Sequence, residues 1–437
     1  MRIAYNILFV LFFWIGEAWH FVKMWRRGNW RAGYGQRFGL YSPEVRAALG
    51  RRPVIWLHAV SVGEVGVCLQ LLRVLEPGLP AFQCVVSTTT STGMGELRRR
   101  LPPRVQAIYY PSDLSVIVRR ALDTLRPKAI ILVEAELWPN LLWQAQDRDI
   151  PLFLVNARLS ERSFKNYRRF SYIFRSIFSK FRGVGCAQPA DAQRLLALGF
   201  PAGAVRAVGN LKFDAAAQPD ARPGLDVPAL LRQIGVNPNA RLLVAGSTHA
   251  GEEAILAEML PRLRRRFPDL FLILVPRHFE RAKEAGQELA MRGIPFVYRG
   301  DITAETQMAP GRLECLLVNS TGELKFFYEQ ASLVFVGKSL TAQGGQNPIE
   351  PAALGKAMVF GPNMQNFKAV VGAFLAERAA LQVPDAAGLE QAIGELLGDD
   401  KRRCDMGARA LQVVRQNLGA TARTVQLIRE RQGGQLS

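Results

Sequence analysis

The chain has 437 residues, 49% hydrophobic and 21% charged, which excludes wholesale disorder and gives enough apolar material for more than one buried core. Its net charge of +19 calls for an anionic partner: nucleic acid, acidic lipid or a phosphorylated substrate. The surplus is uneven, with 30 basic and 14 acidic side chains in residues 1–215 but 26 and 23 in residues 216–437, so one half faces the anion.

Residues 3–22 are mostly apolar, yet the unbroken run is only ILFVLFFWI, Ile7 to Ile15. A bilayer span wants roughly 20 apolar residues, so this segment reads either as a short span or as a helix lying in the interface. Eight basic residues and one acid follow between Lys23 and Arg52, which places the flank on the cytoplasmic side of an anionic membrane. Residues 1–25 are therefore expected to form a membrane-anchoring helix. The five cysteines are scattered through apolar segments without a C-x-x-C pair, and read as reduced core residues. The four histidines have no metal-ligand spacing, so a structural zinc site is not expected. No cofactor is expected either.

From Pro53 onward, short apolar β-rich runs alternate with amphipathic stretches. PVIWLHAV, FQCVVSTTT, QAIYYP, AIILVEAEL, PLFLVNA, GVGCAQ and VRAVGN suit parallel strands buried on both faces. They predict a Rossmann-like domain over 26–214. The Pro- and Ala-rich stretch 215–239 reads as the connection. A second series follows, RLLVAGS, LFLILVPR, PFVYRG, CLLVNS, LVFVGKS and AMVFGP, before a helical tail from Gly388. The fold class is thus α/β, with two Rossmann-like domains facing a cleft and the second covering 215–437. Ligands in such sheets bind at the carboxyl ends of the strands.

Those ends carry the chemistry. In HAVSVGEVG, Glu64 falls at a helix start after the first strand, where a carboxylate takes a proton from an attacking hydroxyl or simply stabilises the first turn. STTTSTG binds an anion or caps a helix. Glu134 and Glu136, two apart in VEAELWPN, hold sugar hydroxyls or pair with arginines. Asp147-Arg148-Asp149 has the letters of a metal-nucleotide motif but lies at the wrong end of a strand, and reads as a solvated turn. Residues 158–182, with eight basic residues and recurring aromatics, form a basic amphipathic helix, packed either on a membrane or on the sheet. In the second half, VAGSTHAGEE, LVPRHFER (with Arg277 and His278), NSTGELKFFY and GKSLTAQGGQNPIEPAALG each place a polar or glycine turn after a strand. Together they suit a nucleotide, with phosphate at a helix amino terminus and Glu350 on ribose hydroxyls.

The ordered series HAVSVGE, TTTSTG, VEAELWPN, NARLSERS, GNLKFD, STHAGEE, VPRHFER, STGEL and GGQNPIEPA resembles the 3-deoxy-D-manno-octulosonic acid (Kdo) transferases of lipopolysaccharide synthesis, over about residues 30 to 370. The resemblance implies an inverting, metal-independent GT-B enzyme that moves Kdo, an acidic sugar, from CMP-Kdo to a lipid A precursor (lipid IVA) on the cytoplasmic face of the bacterial inner membrane. It implies Glu64 as general base. It also implies a CMP site around Arg277, His278, Asn347 and Glu350, lined by Ser247, Thr248, Gly322 and Glu323 and approached by Lys212. Glu134, Glu136, Asn156 and Arg158 become acceptor-side residues. Lys338 stands where a second glycine is expected. A UDP-sugar transferase acting on another lipid is the competing enzyme reading. A nucleic-acid-binding protein is disfavoured because the basic residues flank an apolar anchor and no nucleic-acid motif is present.

Overall fold

The computed structural model describes residues 2–10, 13, 22, 25, 33–50, 52–134, 137–217 and 224–432. The chain divides into two compact units, Met1–Ala215 with Leu418–Ser437, and Ala216–Asn417.

In the first unit, seven parallel strands form one sheet: β1 (Val54–His58), β2 (Gln83–Thr88), β3 (Gln106–Tyr109), β4 (Pro127–Val133), β5 (Leu152–Ala157), β6 (Phe181–Cys186) and β7 (Val205–Ala207), in the order β3-β2-β1-β4-β5-β6-β7. All seven were expected. Their side chains alternate between two cores, Trp56, Ile130, Leu132 and Leu154 on one face and Ile55, Leu57, Ile131 and Phe153 on the other, which is why the strands read as continuous apolar runs. The sheet changes direction between β1 and β4, the position where doubly wound sheets bind ligands.

The second unit repeats the plan with one exchange. Its strands are β8 (Arg241–Thr248), β9 (Leu270–Pro276), β10 (Phe296–Tyr298), β11 (Cys315–Leu317), β12 (Leu333–Val336), β13 (Met358–Phe360) and β14 (Leu381–Gln382), in the order β10-β11-β9-β8-β12-β13-β14. β11 returns between β9 and β10, so the ends of β11, β9, β8 and β12 lie side by side. The two-residue β14 is too short to carry a periodic signal, and sequence reasoning missed it.

Two expectations change. The second domain does not run to 437: the helix Ala420–Arg431 returns to the first unit, where Ala420, Val425 and Ile428 join the core around β1 and β4. Burying a Val or Ile there stabilises by about 1.5–3 kcal/mol relative to exposure. Asp214 fixes the return, accepting hydrogen bonds from Gly419 N (2.7 Å), Thr421 N (2.6 Å) and the Thr421 hydroxyl (2.8 Å).

Residues 158–182 are not one helix. Helices Glu161–Arg169 and Ser171–Phe178 meet at Phe170, whose backbone (φ −112°, ψ 26°) leaves the helical region, and Phe181 already belongs to β6. Ile177 and Phe178 are buried, and Phe164, Tyr167 and Phe174 pack on the same core, leaving Phe170 exposed. The aromatic stripe is chiefly a packing face.

Of the expected anchor over 1–25, residues 2–10, 13, 22 and 25 are helical and the remainder lies outside the described residues. Tyr5 donates to Asp113 Oδ2 (2.9 Å), and Asn6 and Asn140 exchange amide hydrogen bonds (3.2 and 2.9 Å), so this helix lies against the first unit. Its other face exposes Ile3 (77%), Ile7 (62%) and Leu8 (58%). Among the described residues no helix is long and apolar enough to cross a membrane.

Candidate functional site

In the first unit, β1 runs into the helix Val62–Leu75 through Ser61, whose side chain caps the helix by accepting from Glu64 N (3.3 Å). Glu64 answers with both oxygens, taking the Ser61 hydroxyl (2.9 Å) and Val60 N (2.8 Å). This reciprocal pattern is a capping box displaced by one residue. It satisfies the orphan helix donor Glu64 N and the N–H of Val60 ahead of the cap, and fixes the direction of a half-buried carboxylate. The TTTSTG segment serves the same turn. Thr88 and Thr90 hydroxyls both donate to Val60 O (3.0 Å each), and Thr90 caps the helix Ser91–Arg100 by accepting from Gly93 N (3.1 Å). Of the two readings open for it, the cap is realised.

Behind this turn His58 is fully buried, its Nδ1 2.9 Å from the Ser87 hydroxyl and its ring stacked 3.9 Å from Tyr110. Burial pushes the imidazole down to about 3, so it is neutral.

Across the direction change, Glu134 directly follows β4 and β5 contains Asn156. Both are non-glycine residues in the left-handed region (φ 64° and 52°), where side chains crowd the backbone. Glu134 Oε1 is 2.7 Å from Lys212 Nζ, 3.3 Å from Asn156 Nδ2 and 4.0 Å from Arg158 Nη1. The structure thus gathers three of the four expected acceptor residues. It adds Lys212, which sequence reasoning had directed to the donor. Asn156 also accepts from Leu211 N (3.0 Å), which seats the segment carrying Lys212. Glu136 lies outside the described residues.

In the second unit the expected residues occupy four adjacent strand ends: Ser247 and Thr248 on β8, Arg277 and His278 after β9, Gly322 and Glu323 after β11, Asn347 and Glu350 after β12. Ser247 (φ 56°) and Lys338 (φ 54°) are again left-handed. The position where a glycine was expected is therefore one whose backbone favours glycine, and lysine adopts it at some steric cost. Gly337 has no such latitude for another reason: a Cβ there would lie 2.6 Å from Ser247 O, because the ends of β8 and β12 touch. Asn347 donates to Glu350 Oε1 (3.0 Å) and accepts from Ile349 N (3.1 Å). Glu323 receives Arg299 Nη2 (3.3 Å) and the Ser320 hydroxyl. Arg277 and His278 are exposed, and Arg277 has no carboxylate within ion-pair distance among the described residues. The His249 and His278 rings are 6.1 Å apart; burial, with Lys338 nearby, holds His249 below its usual range.

Sequence reasoning missed two carboxylates at the start of the helix Glu252–Arg266. Glu253 is buried against Arg281 (3.0 Å) and Thr248 (3.0 Å), and burial raises its pKa. Glu252 is fully buried among backbone N–H groups. The available signal was two consecutive acids directly after a glycine turn. The Asp147–Asp149 segment is the solvated turn expected, at the amino end of β5, with Asp147 paired to Arg2 and Arg148 to Asp123. Among the described residues no group of His, Cys, Asp and Glu is arranged to hold a metal ion.

Two parallel, doubly wound seven-stranded units define a GT-B-like fold. The fold matches a glycosyltransferase from Rickettsia africae (13% identity, 89% of this chain and 99% of that one, TM-score 0.56) and a UDP-GlcNAc 2-epimerase from Neisseria meningitidis (13%, 84% and 99%, TM-score 0.54). Residues 32–215 match the family model described as 3-deoxy-D-manno-octulosonic-acid transferase (kdotransferase). The chain is 32% identical to the 3-deoxy-D-manno-octulosonic acid transferase of Bordetella pertussis (93% of this chain, 95% of the relative) and 30% identical to that of Haemophilus influenzae (92% of each). It belongs to the Kdo transferase family and is a glycosyltransferase.

Proposed function

We propose that this enzyme moves Kdo from CMP-Kdo to a hydroxyl of an anionic lipid A precursor, with the second unit holding the donor and the first the acceptor. The observation that carries the reading is the adjacency of four polar strand ends in the second sheet, which assembles Ser247, Thr248, Arg277, His278, Gly322, Glu323, Asn347 and Glu350 along one edge. The exposed Arg277 meets the phosphate and Glu350 the ribose hydroxyls.

Glu64, oriented by Ser61 and Val60 N, is the general base. It takes the proton of the acceptor hydroxyl as that oxygen bonds to the anomeric carbon and the carbon–oxygen bond to CMP breaks. The electron pair leaves with the phosphate, where Arg277 and backbone N–H groups stabilise it without a metal. Glu134, Asn156, Arg158 and Lys212 form a mixed-charge cluster suited to sugar hydroxyls and a lipid phosphate, consistent with the basic surplus of residues 1–215.

The exposed face of the amino-terminal helix, Ile3, Ile7 and Leu8, suits the interface of the inner membrane on its cytoplasmic side. The test is mass spectrometry of lipid IVA incubated with the full-length enzyme and freshly generated CMP-Kdo. Products heavier by one or more Kdo units support the assignment. An unchanged acceptor, with intact donor, contradicts it.

A further inference from the structure

Glu252 sits in the first turn of the helix after β8, where a carboxylate ordinarily serves its own helix. Only one of its four backbone hydrogen bonds does so, from His249 N to Oε2 (2.9 Å). The other three come from residues 86, 87 and 88 positions away: Lys338 N to Oε2 (2.7 Å), and Ser339 N and Leu340 N to Oε1 (2.8 and 3.0 Å). Three successive N–H groups converging after a left-handed residue form a concave anion site. Here the protein fills that site with its own fully buried carboxylate.

We propose that Glu252 is a positioning residue of the donor site, locking the turn after β8 to the glycine-rich loop after β12 so that both meet the donor as one platform. A single oxygen joins the backbones of His249 and Lys338, and so sets the spacing of their half-buried side chains. The same bonds hold Lys338 in the left-handed conformation (φ 54°) and fix the entry to the loop that carries Gly344, Gly345 and Asn347. Gly345 N donates back to Lys338 O (3.0 Å), so order imposed at Lys338 passes to the glycines. Because the Lys338–Leu340 N–H groups are already occupied, the donor phosphate is met elsewhere, at Arg277 and the exposed strand ends. This inference rests on the donor reading of the second unit.

The test uses full-length protein, with CMP titrated calorimetrically into wild type, Glu252→Gln and Glu252→Asp, and with steady-state kinetics on CMP-Kdo. An amide at position 252 points a donor at backbone donors, so Glu252→Gln is expected to weaken CMP binding and raise KM by about tenfold or more, with kcat little changed. Glu252→Asp keeps the charge, and recovers part of the affinity. In hydrogen exchange, the amides of Lys338, Ser339 and Leu340 lose protection in Glu252→Gln while those of Val244 and Phe335 in the strands keep it. Wild-type affinity in Glu252→Gln, or protection lost equally across β8 and β12, overturns the positioning role. If Glu252→Gln does not fold, Glu252→Asp carries the same comparison, and unchanged affinity with unchanged exchange at Lys338–Leu340 overturns it. Wild type that fails to bind CMP overturns the donor reading itself, a result distinct from either.

Discussion

The two units solve one geometric problem with different chemistry. Each presents left-handed, non-glycine residues at strand ends at or next to the point where its sheet changes direction: Glu134 after β4 with Asn156 on the neighbouring β5 in the first, Ser247 and Lys338 in the second. Residues held in such conformations persist only where the surroundings over-determine them. In the first unit the determinants are side chains of opposite charge that satisfy one another, Glu134 with Lys212 and Arg158. In the second they are backbone groups gathered by one buried carboxylate, Glu252, and Arg277 remains without an acidic partner among the described residues. A cluster of one carboxylate and two cations suits sugar hydroxyls beside a phosphate. An unspent cation suits the developing charge of a leaving group. The comparison supports the proposed division, with acceptor and catalysis in the first unit and donor in the second.

The largest effect that could break this division is at Glu64. Removing a positioned general base costs about 10²–10⁴-fold in rate, so Glu64→Ala is expected to lose turnover on that scale in a coupled Kdo-transfer assay. Arg277→Ala is expected next, lowering kcat by roughly 10²–10³-fold, the range for losing one preorganised donor at a developing charge. Unlike Glu64→Ala, it should also weaken CMP binding. Lys212→Met sharpens the other side. It leaves Glu134, about one-fifth exposed, without its closest cation, and should lower stability in urea unfolding by about 1–3 kcal/mol. The same variant should raise KM for the lipid acceptor and leave CMP affinity unchanged; weakened CMP binding would return Lys212 to the donor side.

Smaller effects are expected where the first unit is held together. Asp214→Ala removes the clasp on Gly419 and Thr421 and should cost about 1–2 kcal/mol, comparable to the loss of a helix cap. The titration of His58 changes stability little at neutral pH and above. Its folded pKa is about 3, below the unfolded value near 6.5, so under acid conditions the unfolded chain binds the extra proton. Stability associated with His58 is thus present above 6.5 and is lost as pH falls from there toward 3, by up to about 1.4 kcal/mol per pH unit. His58→Phe, which keeps a ring against Tyr110, should flatten that part of the urea-unfolding profile relative to wild type.

Much of this was legible in the sequence because buried parallel strands leave an unambiguous trace. The runs PVIWLHAV and LFLILVPR have no polar face to confuse the period, and a glycine or hydroxyl residue marks where each strand gives way to its turn. The candidate residues at the strand ends followed, since ligands gather at those ends. What escaped depends on distance along the chain. Nothing local to Glu252 announces bonds to residues 86 to 88 positions away, and nothing in the tail ATARTVQLIRER says which unit its apolar face will cover. The pairing of Lys212 with Glu134 was not legible, because the place of Lys212 is set by Asn156, which holds Leu211 from another strand. The aromatic residues between 164 and 181 have a periodicity that a membrane face and a packing face share. The bend at Phe170 and the burial of Ile177 and Phe178 show that packing accounts for most of them.

The division of labour is tested most directly by calorimetric titration of CMP into Glu64→Ala beside wild type. Equal affinity in a variant that has lost turnover is the result predicted when the base belongs to the first unit and the nucleotide to the second. A marked loss of CMP affinity would contradict it, and would make Glu64 part of the donor site.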